Sequence, residues 1–403
     1  MMGFRNMMFI RLGMVVSVLL LATALPGCIS LSTASGPLSA PSPAPLAGQP
    51  GQLFVPASVS DYQGWSKAQA VGLSRALQES CKVYAKRTGQ VSDNPLFGTY
   101  EQWHPLCTRL SQLEDHALQS FFESHFAVYQ VAPEEKGLFT GYFTPLLHGS
   151  RVRSQRYSTP LLKVPEDLVQ LNPKKFGLKN SNDQRLNKML AAKLNDGWMV
   201  PYDNRAGINE RVWRGEYKND VLLWVDDRVD RFFLQIQGSG TVRLDTGEDV
   251  QVGFAGRNGH DYFAIGRYMK QKGLLEEVSM QSIRQWLDKN PDRLDEVLHT
   301  NPDFIFFAES EKLGPVGAQG SRLIPEHSAA VNRSVIPLGT PLWVNTTLTR
   351  NNTPFARAMV AQDVGSAIRG NVRVDVFFGA GAEAGDKAGY QNADGKLYVM
   401  VPR

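Results

Sequence analysis

An aspartate in the middle of a predicted strand is the strongest candidate for chemistry in this 403-residue chain. Residues 372–378 alternate with period two, which places their side chains on two faces of a strand. One face takes Val372, Val374, Val376 and Phe378, and the other takes Arg373, Asp375 and Phe377. Aspartate is a poor strand former, so Asp375 here points to a carboxyl group used in acid or base catalysis. The alternative is an exposed strand face on which Arg373 and Asp375 form a plain charge checkerboard.

A second carboxyl group, that of Asp363, lies upstream in the segment 361–370. An aspartate before Val-Gly in a loop commonly forms an Asx-turn, so a purely structural role stays open. A third segment, 331–339, precedes both aspartates and reads Val-Asn-Arg-Ser-Val-Ile-Pro-Leu-Gly. These three segments together are more specific than any one of them.

The elements that position these residues change along the chain from helices to strands. Apolar residues recur every three or four positions from Trp65 to about Val131 and again from about Tyr262 to Leu298, which predicts helices. Period-two and β-rich runs predict strands in the remainder. The main runs are 138–143, 221–225, 232–237, 304–307, 342–344, 358–361, 372–378 and 397–401. This order predicts an α+β fold, mainly β, that contains a barrel or sandwich.

Composition excludes several classes of protein. A hydrophobic content of 42% is too high for a disordered chain, and 36 Gly and 23 Pro are too few for collagen. The net charge of +4 falls to +2 without residues 1–27, which is too little for a nucleic-acid binder that neutralises phosphates. The spacing of the 3 Cys and 7 His matches no metal site, and the glycine-rich segment 379–385 does not fit a dinucleotide site. We therefore expect neither a metal nor a cofactor.

The N-terminus has the pattern of a secreted lipoprotein. In residues 1–27 two arginines precede an apolar run, residues 12–25, that is too short to span a bilayer, which is typical of a signal peptide. The run ends in Leu-Pro-Gly before Cys28 and resembles a bacterial lipobox, which implies lipidation of Cys28. The next residue is isoleucine, not the aspartate associated with inner-membrane retention, so we expect the periplasmic face of the outer membrane. Residues 28–54 are predicted to be the lipidated cysteine and a flexible Ser/Pro/Ala/Gly-rich tether.

Two cysteines remain if Cys28 carries lipid. Cys81 and Cys107 would then lie in an oxidising compartment, where a disulfide between them is one outcome. The sequence leaves open whether their Cα atoms come close enough to be bridged.

Several ordered segments resemble the membrane-bound lytic murein transglycosylase A family and its three-aspartate domain. The segments around Asn332, Asp363 and Asp375 resemble the three-aspartate pattern, although its first aspartate is here Asn332, which cannot donate a catalytic proton. The wider resemblance covers most of the chain after the tether. Its segments are Gly137-Leu-Phe-Thr-Gly-Tyr-Phe-Thr-Pro145, Leu234-Gln-Ile-Gln-Gly-Ser-Gly240, Gly253-Phe-Ala-Gly-Arg-Asn-Gly-His260 and the glycine-rich stretch 379–389.

The resemblance implies a fold and a domain order. The fold would be a double-psi β-barrel with N-terminal helices, a smaller β-domain inserted into it and a substrate groove between the two. We expect the helical first part of the barrel domain at 55–144, the inserted domain at 145–304 and the three-aspartate part of the barrel at 305–403. The resemblance also implies a monomer on peptidoglycan glycan strands, with cell-wall synthesis or hydrolysis complexes as candidate partners and no nucleic acid.

The implied reaction is cleavage of the β-1,4 bond between N-acetylmuramic acid and N-acetylglucosamine, with formation of a 1,6-anhydro ring and without water. Most glycosidases need two carboxyl groups, but here the tethered C6 hydroxyl of the sugar is the nucleophile. Asp375 alone could first donate a proton and then accept one, with Asp363 in support. This requires a raised pKa for Asp375, and we expect Arg373 to point away or to be paired elsewhere.

Substrate contacts are expected from two further segments. Alternation in the predicted strand 232–237 places Gln235 and Gln237 beside Phe233, a combination that suits sugar hydroxyls and ring faces. The other predicted contacts are Thr140, Gly141, Tyr142, Gly238 and Ser239. Gly141 would allow close backbone approach, and Gly238 to Gly240 would form a turn. Polar residues on a solvated strand and a plain hairpin are the structural alternatives.

Two other functions stay open at this point. A non-catalytic glycan-binding lipoprotein predicts no acid within the groove, and Asn332 favours it modestly. A hydrolase would use Asp363 and Asp375 as an acid/base pair, with their carboxyl groups roughly 6.5–9.5 Å apart to hold a water molecule.

Overall fold

Helices and strands follow one another in blocks along the chain. The computed structural model describes residues 52–176, 190–310 and 314–403. The α-helices are α1 Lys67–Tyr84, α2 Tyr100–Leu110, α3 Leu118–His125, α4 Arg205–Trp213, α5 Arg228–Gln237, α6 Ile265–Gln271, α7 Met280–Lys289, α8 Leu294–Leu298 and α9 Gly381–Tyr390. The strands are β1 Phe54–Ala57, β2 Phe126–Val131, β3 Leu138–Thr144, β4 Leu146–Ser150, β5 Thr159–Leu162, β6 Val169–Leu171, β7 Leu190–Asn195, β8 Trp198–Pro201, β9 Val221–Val225, β10 Ser239–Leu244, β11 Asp249–Arg257, β12 Ile305–Glu309, β13 Ser328–Val331, β14 Pro341–Leu348, β15 Thr353–Asp363, β16 Arg373–Ala380, β17 Asn392–Ala393 and β18 Gly395–Pro402.

The main sheet joins the two ends of the described chain. Its strand order is β1-β2-β18-β14-β15-β13-β16-β3-β17, so early strands pair directly with late ones. The predicted alternation in β16 is confirmed, because Val374, Val376 and Phe378 lie in the hydrophobic core of this sheet. Helix α1 packs on β15, where the buried Gln362 donates its Nε2 to the carbonyl of Ala76 at 3.0 Å.

The middle of the chain forms two further sheets. One has the order β12-β11-β10-β4-β9-β5 and the other β6-β7-β8. Beside them, helices α5 to α8 bury a shared apolar cluster that includes Phe232, Met269 and Leu287. The helical stretch predicted from about 262 to 298 is therefore present as three short helices.

Residues 232–237 lie in helix α5 and not in the predicted strand. Asp227 caps the helix, because its Oδ1 accepts from the backbone N–H groups of Val229 and Asp230, both at 2.7 Å. Gly238, in the left-handed conformation at φ +79°, ends it. Residues two positions apart point to different sides of a helix, so the predicted shared face of Gln235 and Gln237 does not exist.

The mixed helix and sheet content agrees with the predicted α+β class, while one finer expectation is not confirmed and another is wrong in part. The double-psi barrel is not confirmed: β1 and β17 stand at the two ends of the main sheet, and no closed barrel is found among the described residues. The helical prediction for 65–131 is wrong at its end, because 126–131 form β2, which pairs with β1 and β18.

A disulfide joins the first two helices. Cys81 in α1 and Cys107 in α2 are bonded, with their Cα atoms 5.6 Å apart. It closes a loop of 26 residues, which contributes about 3–4 kcal/mol through the entropy of the unfolded chain.

The expected signal peptide at 1–27, Cys28 and nearly all of the tether at 28–54 lie outside the described residues. Within the described ranges, no helix combines the length and the apolar character needed to cross a bilayer.

Candidate active site

Asp375 lies in a row of residues that crosses four neighbouring strands of the main sheet. It pairs with Ala330 of β13 on one side and with Thr140 of β3 on the other. Ala330 in turn pairs with Asp363, the last residue of β15. A bulge between β13 and β15 shifts the register by one residue, so Asp363 rather than Gln362 stands opposite Ala330. Two strand spacings of about 4.8 Å therefore separate the backbones at Asp363 and Asp375.

The carboxyl group of Asp375 is held by a short chain of hydrogen bonds. Thr140 donates its hydroxyl to Asp375 Oδ1 at 2.5 Å, and Arg373 Nη2 donates to the same hydroxyl at 2.9 Å. Because the Thr140 oxygen accepts from Arg373, its own hydrogen is directed to the carboxyl group. The arginine also donates to the carbonyls of Val374 and Leu138, at 2.7 and 3.3 Å.

Burial raises the pKa of Asp375 above its ordinary value, while Arg373 and the Thr140 hydrogen bond lower it by less. The raised pKa agrees with the expectation for a proton donor. The expectation for Arg373 holds only in part: its hydrogen bonds go to Thr140 and to carbonyls, but its charge lies close enough to oppose the effect of burial.

Asp363 is a half-buried carboxyl group with three donors. The backbone N–H groups of Ala318 and Val364 both donate to its Oδ1 at 2.9 Å, and Tyr142 donates its hydroxyl to Oδ2 at 3.0 Å. Burial, with a smaller contribution from the nearby Asp375 carboxylate, nevertheless raises the pKa of Asp363 to about 6. Asp363 is thus placed to accept hydrogen bonds from three donors.

Two tyrosines lie close enough to Asp375 for its charge to raise their pKa values. Tyr142, next to the Phe377 ring at 5.2 Å between centroids, has its pKa raised by burial, by Asp363 and by Asp375. The pKa of Tyr262 is raised by burial and then by Asp303 and Asp375. Both phenols therefore stay protonated at neutral pH and can donate hydrogen bonds. Tyr262 follows the Asn-Gly-His segment of the middle region, and nothing in its local sequence placed it near Asp375.

Thr140 and Tyr142, which are predicted to contact the substrate, lie beside the aspartates, whereas Gly141 packs against a helix. Gly141 lies opposite Val376, and a Cβ on it would come within 2.5 Å of the Phe378 ring and 2.9 Å of the Ala388 backbone. The close approach it permits is therefore the packing of helix α9 on β3.

The strand and turn expected for the segment 235–239 do not form, because these residues lie in helix α5, its cap and the start of β10. Gln235 is buried, accepts from Arg205 Nη1 at 2.5 Å and donates to the carbonyl of Ile305 at 3.1 Å, so both ends of its amide are used inside the protein. Gln237 accepts from the backbone N–H of Phe143 at 3.0 Å, which ties α5 to β3. Gly238 is the helix cap and Ser239 begins β10, so no hairpin turn forms there.

Asn332 stabilises a turn. Its Nδ2 donates to the carbonyl of Gly370 at 3.0 Å, and its Oδ1 accepts from the hydroxyl of Ser334 at 2.7 Å. These bonds agree with an orienting role for the residue at the first position of the three-aspartate pattern.

The described residues contain no group of three or more His, Cys, Asp or Glu side chains arranged to hold a metal ion. The groups present at the site are two carboxyl groups with raised pKa values, a hydroxyl fixed between Arg373 and Asp375, and two protonated phenols.

Comparisons with known proteins agree with this arrangement. Residues 138–308 match the family model of the MltA specific insert domain, and residues 327–401 match that of the 3D domain. A membrane-bound lytic murein transglycosylase from Agrobacterium tumefaciens superposes with a TM-score of 0.76 at 28% identity, over 87% of this chain and 98% of that one. MltA from Neisseria gonorrhoeae superposes with a TM-score of 0.71 at 30% identity, over 91% and 95%.

A curated relative in sequence is membrane-bound lytic murein transglycosylase A of Escherichia coli strain K12. The two are 32% identical over 272 residues, which is 65% of this chain and 65% of the relative. The chain thus matches just under two thirds of that relative's length.

Proposed function

The chain belongs to the membrane-bound lytic murein transglycosylase A family, and we propose that it cleaves peptidoglycan glycan strands with Asp375 as its single catalytic acid and base. The bond broken is the β-1,4 link between N-acetylmuramic acid and N-acetylglucosamine. The product end is a 1,6-anhydro ring, formed when the C6 hydroxyl of the muramic acid replaces the departing sugar.

The observation that carries the proposal is the setting of Asp375. A carboxyl group in mid-strand, opposite Ala330 and half-buried, keeps its proton to a higher pH than an exposed one because burial disfavours the carboxylate. A protonated Asp375 can donate to the glycosidic oxygen in the first step. Asp375 in turn acts on Asp363, because the charge of its carboxylate raises the pKa of Asp363.

The second half of the reaction needs Asp375 as a base, and Thr140 supports this role. Once Asp375 has lost its proton, the Thr140 hydroxyl at 2.5 Å is already oriented by Arg373 to stabilise the new carboxylate. That carboxylate then takes the proton of the C6 hydroxyl, while the oxygen of this hydroxyl bonds to C1 of the same sugar. The tethered hydroxyl has a high effective concentration, so no activated water is required.

Asp363 is better placed as a supporting residue than as a second catalytic group. Its two oxygens accept from Ala318, Val364 and Tyr142, which leaves little capacity to activate a water molecule. This favours the single-carboxyl mechanism over a hydrolase with an acid/base pair.

We place the protein on the periplasmic face of the outer membrane, held by a lipid on Cys28 and acting as a monomer, with cell-wall complexes as candidate partners. The substrate groove would run between the main sheet, which carries Asp375, and the inserted domain, expected at 145–304, which carries Tyr262. The charge of Asp375 raises the pKa of Tyr262, and this proximity supports a groove at this place.

The test is digestion of purified murein sacculi, followed by mass spectrometry of the released fragments. The proposal predicts 1,6-anhydromuramic acid ends. Reducing ends would show a hydrolase instead, and intact sacculi that retain bound protein would show a non-catalytic binder.

A further inference from the structure

A basic cavity lies beside the loop whose Ala318 N–H donates a hydrogen bond to Asp363. It has a volume of about 540 Å³ and lies between helix α1 with the residues that follow it and the segment 316–322, here called the 316–322 loop. The side chains that give the cavity its charge are Glu79, Lys82, Lys86, Arg87 and Arg322. Four cations thus face one acid, so the cavity favours an anionic ligand.

Most of this positive charge is not neutralised by ion pairs with the described residues. Lys82 pairs with Glu79 at 2.5 Å, which accounts for the single acid. Arg87 donates to the neutral hydroxyl of Tyr100 at 3.2 Å. Lys86 and Arg322 make no ion pair with any described residue. Three cations, at positions 86, 87 and 322, are therefore left for a ligand.

The 316–322 loop connects this cavity to the catalytic residues. The N–H of Ala318 donates to Asp363 Oδ1 at 2.9 Å, and the N–H of the next residue, Gln319, donates to the carbonyl of Gln362 at 3.1 Å. The Gln319 side chain turns to the α1 side, where its Oε1 accepts from Ser80 at 2.7 Å, and it lines the cavity. The cavity and the Asp363 carboxyl group thus lie on the two sides of one loop.

We propose that this cavity binds the carboxylate groups of the peptide stem carried by a murein glycan strand. The inference rests on the proposed function, because it assumes that a muramic acid occupies the site at Asp375. An extended stem of three residues spans about 10 Å, which is enough to pass around a single loop. Arginine and lysine on facing walls suit a stem that carries several carboxylates along its length.

Binding is measured by calorimetric titration of the full chain with a free stem tripeptide that carries two or more carboxylates. Lys86→Glu and Arg322→Glu, both at exposed positions, should each weaken binding at least tenfold. Lys289→Glu makes the same charge change at an exposed position in α7, away from the cavity, and should bind as the unchanged protein does. Equal binding by all variants, no binding of the tripeptide, or tighter binding of inorganic phosphate than of the tripeptide would overturn the proposal.

A second measurement compares digestion of intact sacculi with digestion of glycan strands stripped of their stems. Arg322→Glu should slow release from intact sacculi at least threefold and leave the rate on stripped strands unchanged. Equal slowing on both substrates would contradict a stem site. If the unchanged protein releases no anhydro ends from either substrate while the tripeptide still binds, the proposed reaction fails and the binding site stands.

Discussion

Replacing Thr140 by valine should weaken Asp375 as a proton donor while keeping the shape of the side chain. The substitution removes the hydroxyl that donates to Asp375 Oδ1 at 2.5 Å. A hydrogen bond to a charged group contributes about 1.5–3 kcal/mol, all of it here in favour of the carboxylate form. Since that bond lowers the pKa of Asp375, its loss should raise the pKa.

The expected result has two parts. A free energy of this size corresponds to a fall in kcat of roughly tenfold to a hundredfold, with KM little changed, because the proton becomes harder to donate. The alkaline limb of the pH–rate profile should move to higher pH, because the protonated form persists further. The assay is the release of soluble fragments from sacculi between pH 4 and pH 9.

Two control variants separate this effect from simple damage to the strand. Thr140→Ser keeps the hydroxyl and should retain most of the activity. Thr144→Val makes the same change on the same strand, at a buried hydroxyl with no hydrogen-bond partner among the described residues, and should leave the pH profile in place. An alkaline limb that stays in place or moves to lower pH in Thr140→Val would refute the role given to this hydroxyl.

Three further predictions concern stability. The Asp363 carboxyl has a pKa of about 6 in the folded protein against 3.8 in the unfolded chain, so the folded protein binds this proton more tightly. The free energy of unfolding should therefore fall by on the order of 3 kcal/mol between pH 4 and pH 7. Asp363→Asn should remove most of that fall, as measured by urea denaturation at the two pH values. Replacing Cys81 and Cys107 by serine should lower the free energy of unfolding by about 3–4 kcal/mol in the same assay. Added reductant should lower the stability of the unchanged protein but not that of the serine variant. Gly141→Ala should lower the free energy of unfolding by about 1–3 kcal/mol, because the new Cβ would overlap the Phe378 ring. A loss of glycan binding without a loss of stability would instead show that Gly141 contacts the substrate.

Local patterns predicted part of the fold and of the site. The period-two alternation around Asp375 depends only on neighbouring residues, and strand β16 forms where it predicts one. Alternation gave a wrong prediction at 232–237. Polar and apolar residues alternate there too, but the Asp227 cap and the left-handed Gly238 define a helix. These end signals lie outside the run and outweigh its β-rich composition.

The surroundings of Asp375 follow from strand order, which local patterns do not contain. The hydrogen bond between Tyr142 and Asp363 joins residues 221 positions apart, and it exists because β3, β16, β13 and β15 are neighbours in that order. The bulge that turns Asp363 toward the site and the burial of Gln235 against Arg205 depend on tertiary packing in the same way. The resemblance to a known family named Thr140 and Tyr142 as site residues, but it gave no sign of Tyr262.

One carboxyl group, that of Asp375, is proposed to carry out both proton transfers, and Asp375→Asn tests this most directly. The amide keeps the size of the side chain but can neither donate the catalytic proton nor accept one. Anhydro ends released per molecule of sacculus-bound protein should fall at least a thousandfold, while binding to sacculi and release by the surface control Asp394→Asn stay unchanged. Release of anhydro ends by Asp375→Asn at a rate near that of the unchanged protein would contradict the account.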